Sequence, residues 1–382
     1  MGLFRNKTVT VSQCKMVTAE GGGYFAWDGK LYKSDIIRAA IRPKARAMGK
    51  AIGKHIREKI TNGVRSIEVN PEAYMRFLLE EPNEWMTGQQ LQEKLAIQLE
   101  LNNNAFAFIQ RDGAGYPMAI YPVNCVMCEA IENTAGTLFI RFSLKKGKSA
   151  TLPYSDIIHL RKDFNDNDLF GESPAKVLTS VMEVVNTTDQ GVVKAVQNSN
   201  VIRWLLKYKG SIRPEDVEKN TKKFVDAFLS NDSDSPGVAG IDEKVEAQQI
   251  TPHDFVPNAA QMDKATKRIY AFFNTNENIV HSNYTEDQWI SYYEAAVEPD
   301  VMQLSQEFTR KLFSRRERGT GNKIIFEASN LAFASMSTKL NLVQFVDRGI
   351  MTPNEVRAIM NMAPAPGGDE YIRRLDTRPT TE

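Results

Sequence analysis

Apolar residues at steps of three and four run through several long stretches of this chain, and short apolar runs bounded by turn residues lie between them. Ile36, Ile37, Ala40, Ile41, Ala45, Met48, Ile52 and Ile56 follow the helical period, with Arg42, Arg46, Lys50 and Lys54 on a second stripe four apart. The spacing predicts a helix over 36–56, kinked or split at Pro43 because the proline ring clashes with the preceding turn. The basic stripe reads as a solvated face. A short helix over 71–79 is followed by a break at Pro82-Asn83, and Thr87 is placed to cap an amphipathic helix through Leu101. Ala105 to Ile109, Ala119 to Tyr121, Leu138 to Phe142 and Ile157 to Leu160 are strand-like runs separated by turns such as Asp112-Gly113-Ala114-Gly115. Residues of about 34 to 170 therefore read as an α+β body, preceded by a loosely held arm that contains Gly21-Gly22-Gly23.

Beyond Pro174 the pattern is mostly helical. Val177, Leu178, Val181, Val184, Val185, Val192, Val193 and Val196 keep one apolar face, and so many β-branched residues leave this helix dependent on packing against neighbours. A small α/β insert follows: strand over 201–209, helix over 214–229, and strands over 238–241 and 245–250, with a turn-rich stretch at 230–237. Helix resumes near Asn258 and runs to about Phe273. A polar segment, 274–287, separates it from a long helix over 289–313, a strand over 323–327 and a tail with the helix cap Thr352-Pro353-Asn354-Glu355.

Composition narrows the function. Lys plus Arg number 48 against 47 Asp plus Glu, a net charge of +1, whereas proteins that hold DNA by neutralising phosphates carry a basic surplus. At 42% hydrophobic and 25% charged, the chain has the composition of a globular protein. It lacks a run of ~18 apolar residues and an apolar signal core, so it is expected to be soluble and unsecreted, with no membrane partner. Three cysteines fit a reducing compartment. The charges are nonetheless segregated. Ile269 to Thr309 holds no Lys or Arg but seven acids, Glu277, Glu286, Asp287, Glu294, Glu298, Asp300 and Glu307. Arg310, Lys311, Arg315, Arg316 and Arg318 follow at once.

Catalytic templates find no match. Cys125 and Cys128 form a Cys-x-x-Cys without a second ligand pair, and on a strand an offset of three places the sulfurs on opposite faces; buried apolar packing is the expected role. Gly147-Lys148-Ser149 has Phe142 where a phosphate loop needs its first glycine, so it reads as an exposed basic hairpin turn. From Asp163, a calcium loop would need Gly at Asp168 and Glu at Pro174. In Gly171-Glu172-Ser173-Pro174-Ala175, Pro174 marks Ser173 as a helix cap and not a nucleophile. No enzyme, cofactor or metal is expected.

The order of these pieces resembles the portal (head-to-tail connector) proteins of tailed bacteriophages, in their compact siphovirus-type family. The similar words are the helix from Ile36; Glu81-Pro82-Asn83-Glu84-Trp85-Met86-Thr87; Asn103-Asn104-Ala105-Phe106, where the family often has Gly-Asn-Ala-Tyr; Asp112-Gly113 with Pro117 and Tyr121-Pro122; Asp156-Ile157-Ile158-His159-Leu160-Arg161; Gly171-Glu172-Ser173-Pro174; and Thr352-Pro353-Asn354-Glu355-Val356-Arg357 before Gly367-Gly368-Asp369. The resemblance spans most of the chain. It implies an α+β, mainly helical portal fold with wing, stem, clip and crown, assembled as a dodecameric ring around a DNA channel at one capsid vertex. Mapped onto this sequence, it implies an N-terminal arm 1–33, wing 34–174, first stem helix 175–200, clip 201–252, second stem helix 253–273, tunnel-loop region 274–288, long helix and return to the wing 289–339, and a short crown 340–382.

The same resemblance implies roles for individual residues. The channel lining falls on His281, Ser282, Asn283, Tyr284, Thr285, Glu286, Asp287 and Gln288, where acids repeated around the ring keep a polyanion centred. Terminase or adaptor docking falls on Lys207, Lys209, Glu215, Lys219, Lys222 and Lys223. Charge contacts between subunits fall on Glu294, Glu298, Arg310, Arg315 and Arg316. The implied partners are the chain itself, double-stranded DNA, the terminase large subunit, a head-tail adaptor, and the major capsid and scaffold proteins. The implied location is the virion, with the host cytoplasm during assembly. A ring-forming structural phage protein that conducts no DNA is the rival reading.

Overall fold

A computed structural model describes residues 9–15, 34–61, 64–165, 167–199, 203–208, 213–228, 245–250, 259–327, 342–360 and 362–372. The glycine-rich part of the arm, Lys209, the turn-rich 230–237 and the expected strand 238–241 lie outside them. The chain forms two compact units, residues 182–265 and the combination of 1–181 with 266–382.

In the larger unit, α1 (Asp35–Gly49) is an unbroken helix through Pro43 and ends well before Ile56. The expected helix over 36–56 is thus half strand: β2 (Ile52–Thr61) begins three residues later and pairs with β3 (Val64–Val69), neither of which the helical period revealed. Ile52 and Ile56 meet the helical spacing by coincidence. On β2 they differ in fate, Ile52 being 64% exposed and Ile56 buried. Arg42, Arg46 and Lys50 are exposed, as a solvated stripe requires, while Lys54 belongs to β2. Within the arm, β1 (Val9–Lys15) is a strand, ordered by antiparallel pairing with β6 (Met127–Glu132) that its own sequence does not advertise.

Helix α2 (Ala73–Glu80) leads to α3 (Gly88–Asn102), whose N-cap Thr87 forms a capping box with Gln90. Asn103 ends α3 in the left-handed region, φ 53°, a conformation that asparagine adopts more readily than most side chains. Strand β4 (Asn104–Arg111) is then central in a sheet ordered β5–β4–β9, with β5 at Pro117–Pro122 and β9 at Ile157–Arg161. A second sheet, β1–β6–β7–β8, adds β7 (Leu138–Ser143) and β8 (Ser149–Pro153), and the β7–β8 turn holds Gly147 at φ 71° as an exposed hairpin. Phe106, Ile140, Phe142, Ile157 and Phe170 form a buried core with Cys125 and Cys128. Both thiols share that core because Cys125 precedes β6 and is not on the strand, so the opposite-faces expectation fails while the buried role holds.

Helix α4 (Ala175–Ser199) leads into the smaller unit, where β10 (Arg203–Tyr208) pairs antiparallel with β11 (Val245–Ile250) and α5 spans Pro214–Phe228. Helix α6 (Ala259–Phe272) leads out. The segment expected as a polar loop contains α7 (Glu277–Val280) and the start of α8 (Glu286–Tyr292). The long helix therefore begins three residues early. It passes through a π-helical stretch, Tyr293–Val297, before α9 (Glu298–Leu312). Helix α10 (Arg315–Gly319) precedes β12 (Asn322–Glu327), which completes a sheet ordered β12–β2–β3, and α11 (Val343–Asp347) and α12 (Pro353–Ile359) follow.

Candidate functional site

Four asparagines and two threonines shape the segment from 274 to 288. Asn274 adopts φ 50° and its Nδ2 donates to Ala295 O at 3.3 Å, reaching the π-helical turn whose carbonyls are out of α-helical register. Asn276 caps α7, its Oδ1 accepting from Ile279 N at 3.1 Å, and buried Ile279 anchors that turn. Ser282, at φ 59°, reverses the chain, and Asn283 N donates to Asn278 O at 2.8 Å. Thr285 then opens α8 with a capping box to Gln288. Tyr284 stacks on buried Trp289 with ring centroids 5.0 Å apart.

The eight residues expected to line a channel are consecutive on this surface. His281 to Thr285, Asp287 and Gln288 are exposed, and Glu286 is half-buried. Glu286 and Asp287 occupy the first turn of α8, where carboxylates favour the positive end of the helix dipole. Their placement thus has a local stabilising cause besides any effect on a passing polyanion. The result is a turn rigidly tied to the body, with acids, amides and one aromatic ring facing outward.

A buried charge cluster lies under the same helical run, and no periodicity reveals it. Lys44 Nζ on α1 is 2.8 Å from Glu100 Oε1 on α3 and 2.6 Å from Asp300 Oδ2 on α9, while Lys162 Nζ is 2.7 Å from Glu100 Oε2. Burial alone pushes the Glu100 carboxyl up, but Lys162 and Lys44 overcome it and hold the group below its ordinary value. Burial dominates at Asp300, with Lys44 only partly offsetting it, so that carboxyl is raised. Asp300 is therefore taken out of the acidic stretch as an internal partner.

The basic end is also partly internal. Arg310 pairs with Glu307 at 2.5 Å, and the Lys311 ammonium donates to Tyr154 O and lies 3.6 Å over the Tyr154 ring. Burial lowers the Lys311 amine to about 8, against the raising effect of Glu307. Arg111 Nη2 donates to Lys311 O at 2.7 Å, closing the C-terminus of α9, and its Nε pairs with Asp156 at 2.9 Å. Arg315 and Arg316 stay exposed.

In the smaller unit, Lys207, Glu215, Lys219, Lys222 and Lys223 are all exposed, and Lys207 Nζ donates to Gln248 Oε1 at 2.8 Å across the β10–β11 pair. Among the described residues no group of three or more His, Cys, Asp or Glu is arranged to hold a metal ion, and no helix is long and apolar enough to cross a membrane.

The model of the family described as phage portal protein matches residues 35–361 of the 382. The chain belongs to the phage portal protein family. The portal protein of Enterobacteria phage HK97 is 22% identical over 325 residues, covering 82% of this chain and 74% of that one. The "Probable portal protein" of Lactococcus phage p2 is 26% identical over 184 residues, 46% of this portal chain, which thus spans about half (49%) of that relative's length. Among solved structures, a subunit from the neck of an empty gene transfer agent particle superposes with TM-score 0.67 at 13% identity, covering 88% of this chain and 92% of that one. The likeness to that neck subunit is one of fold.

Proposed function

We propose that this portal protein forms a ring at one capsid vertex and acts as a passive conduit through which DNA enters during packaging and leaves on ejection. The observation that carries this reading is the family match over 35–361. The inserted unit 182–265, entered through one long helix and left through another, supports a stem tipped by a clip. The wing is then the body before Pro174, the tunnel-loop region is 274–288, and the residues from about 340 are the crown. Val177, Val184 and Val193 of α4 are each more than half exposed in the single chain, as suits stem helices that pack against neighbouring stems.

The exposed acids and amides of 281–288 face the DNA in this reading. A passing polyanion must not be held: Asp287 and Glu286 repel phosphates from the wall, while Asn283, Tyr284 and Gln288 offer short-lived contacts to the backbone. The clip lysines Lys207, Lys219, Lys222 and Lys223, with Glu215, dock the terminase large subunit, whose ATP hydrolysis moves the DNA. A head-tail adaptor later takes that place, and capsid and scaffold proteins surround the wing. Assembly takes place in the host cytoplasm, and the protein stays in the virion without catalysing a reaction. Glu294 and Glu298 of one subunit meet the bases of 310–316 of the next.

Electron microscopy of the purified protein tests the reading. Rings with an axial hole are expected, and compact monomers at all concentrations overturn it. For the lining, Glu286→Lys with Asp287→Lys is expected to slow packaging in a reconstituted system and to leave ring size unchanged. Unchanged packaging with weakened rings shows instead that these acids serve subunit contacts.

A further inference from the structure

We propose that the cleft beside α10 is the socket into which the α8–α9 face of a second copy of this chain inserts. The inference rests on the ring reading above and names the surfaces that make the ring. The cleft has a volume of about 730 Å³ and is walled by Arg111, Tyr116, Tyr154, Arg310, Arg315 and Arg318. Its acids are already engaged. Asp156 holds Arg111, Glu317 accepts from Ser314 N at 2.8 Å, and nearby Glu307 holds Arg310. Arg315 and Arg318 form no ion pair among the described residues, and Arg315 is exposed at the cleft wall, where an incoming carboxylate can reach it.

The cleft opens, through Tyr74, Tyr116 and Pro117, into an apolar groove of about 750 Å³ that contains Phe77 and Met118, 62% and 63% exposed. Cationic cleft and apolar groove together call for a surface bearing acids flanked by apolar side chains. The chain carries one. Ile290, Glu294, Glu298 and Met302 recur every four residues and are all exposed, from α8 through the π-helical turn into α9. Glu294 and Glu298 form no ion pair among the described residues, so the stripe reads apolar, acid, acid, apolar.

One copy cannot satisfy itself. Glu294 and the end of α9 lie on one helical run, separated by roughly 25–30 Å at 1.5 Å per residue. The acid stripe and the socket must therefore meet across two copies. A contact between two different patches of identical chains is head-to-tail, the type that closes rings.

Full-length protein carrying Glu294→Lys and Glu298→Lys, and separately protein carrying Arg315→Glu, test this by native mass spectrometry, with circular dichroism confirming the fold. Each variant alone is expected to need about tenfold more protein to assemble. Mixing the two restores assembly, because reversed stripes then meet reversed sockets. Phe77→Ser weakens assembly without involving charge. If either charge variant assembles as the wild type does, or the mixture stays apart, the socket is wrong and the ring reading stands. If the wild type itself never assembles, the ring reading fails and takes the socket with it.

Discussion

His159 Nε2 lies 3.1 Å from Asn104 Oδ1, and the other bonds of Asn104 decide which atom carries the proton. Gly171 N donates to the same Oδ1 at 2.9 Å, and Asn104 Nδ2 donates to Gly171 O at 2.8 Å and Asn102 O at 3.0 Å, so Oδ1 is fixed as an acceptor. His159 Nε2 must then donate. Its Nδ1, 3.2 Å from Tyr154 Oη, accepts from the phenol, which burial keeps protonated. The imidazole is neutral, and Phe106 stacks on it with centroids 4.4 Å apart.

Burial, with Arg161 adding to it, holds the His159 imidazole well below its ordinary value. An unfolded chain takes up a proton at this residue near pH 6.5, while the folded one refuses it. The stability is therefore fully present above about pH 6.5 and declines below that, by up to about 1.4 kcal/mol per pH unit. Urea midpoints measured from pH 7.5 to 5 are expected to fall more steeply for the wild type than for His159→Gln, whose amide keeps the donor to Asn104. Parallel curves would show that His159 titrates normally.

Glu100 is bonded by two lysines and is 2% exposed. Replacing it by Gln leaves Lys44 with Asp300 alone and Lys162 without its partner, which at a buried site costs about 3 kcal/mol. The expected result is a lower urea midpoint at pH 7 with an unchanged slope. The loss is expected to shrink as the pH drops below about 4.5, where wild-type Glu100, held below its ordinary value when folded, gives up its own contribution. A midpoint equal to the wild type's would mean that water enters and solvates the cluster.

Much of the fold was legible because its signals are local. The caps expected at Thr87 and Thr352 are both capping boxes, and their partners stand three residues on. Cooperation among distant words was not legible, although the words themselves were. Asn83 Nδ2 donates to Ile120 O and Ile120 N to Pro82 O, joining the Glu81–Thr87 segment to Tyr121-Pro122. Strand β1 hid for a related reason, since its pairing partner lies far along the chain, and β2 hid because it happens to continue a helical stripe. At the candidate channel the polar stretch was recognisable, but its division into α7, a reversal at Ser282 and α8 depends on caps at Asn276 and Thr285 that look like loop residues. The Lys44 and Asp300 pairing was beyond reach, since the same acid in sequence looks like one more surface charge.

Thr285→Ala tests how firmly the candidate channel segment is held. The Thr285 side chain accepts from Gln288 N at 3.3 Å and Gln288 Oε1 accepts from Thr285 N at 3.1 Å. Loss of the hydroxyl is expected to cost about 1 kcal/mol and to speed amide exchange at Gln288. Exchange that stays slow would show that the Tyr284–Trp289 stack alone holds the turn.

Gly171 links the end of β9 to the start of α4. A Cβ there would run into Asn103 O and Lys162 O, both of them backbone atoms with no freedom to rotate away. Gly171→Ala is expected to lose about 2–3 kcal/mol, whereas Gly113→Ala, with nothing within 4 Å of the added carbon, serves as a neutral control. Equal thermal midpoints for the two variants would mean that the Asn103–Gly171 junction relaxes freely.

Asn354 performs at the C-terminal end the task that Asn104 performs in the body. Its backbone N donates to Gly368 O at 2.8 Å, its Nδ2 donates to Asp369 Oδ1 at 2.8 Å and Ala365 O at 3.2 Å, and its Oδ1 accepts from Ala365 N at 2.8 Å. The side chain thereby folds the proline-rich stretch back onto α12. A methyl group at residue 354 removes all three side-chain bonds and leaves Ala365 N unmatched, while the helix keeps its Thr352 cap. Asn354→Ala is expected to leave the global unfolding midpoint within about 0.5 kcal/mol of the wild type, because few core residues lie here. Limited proteolysis after residue 360 should nevertheless become at least several-fold faster. Unchanged cleavage would show that Gly367 and Gly368 hold the turn without the asparagine.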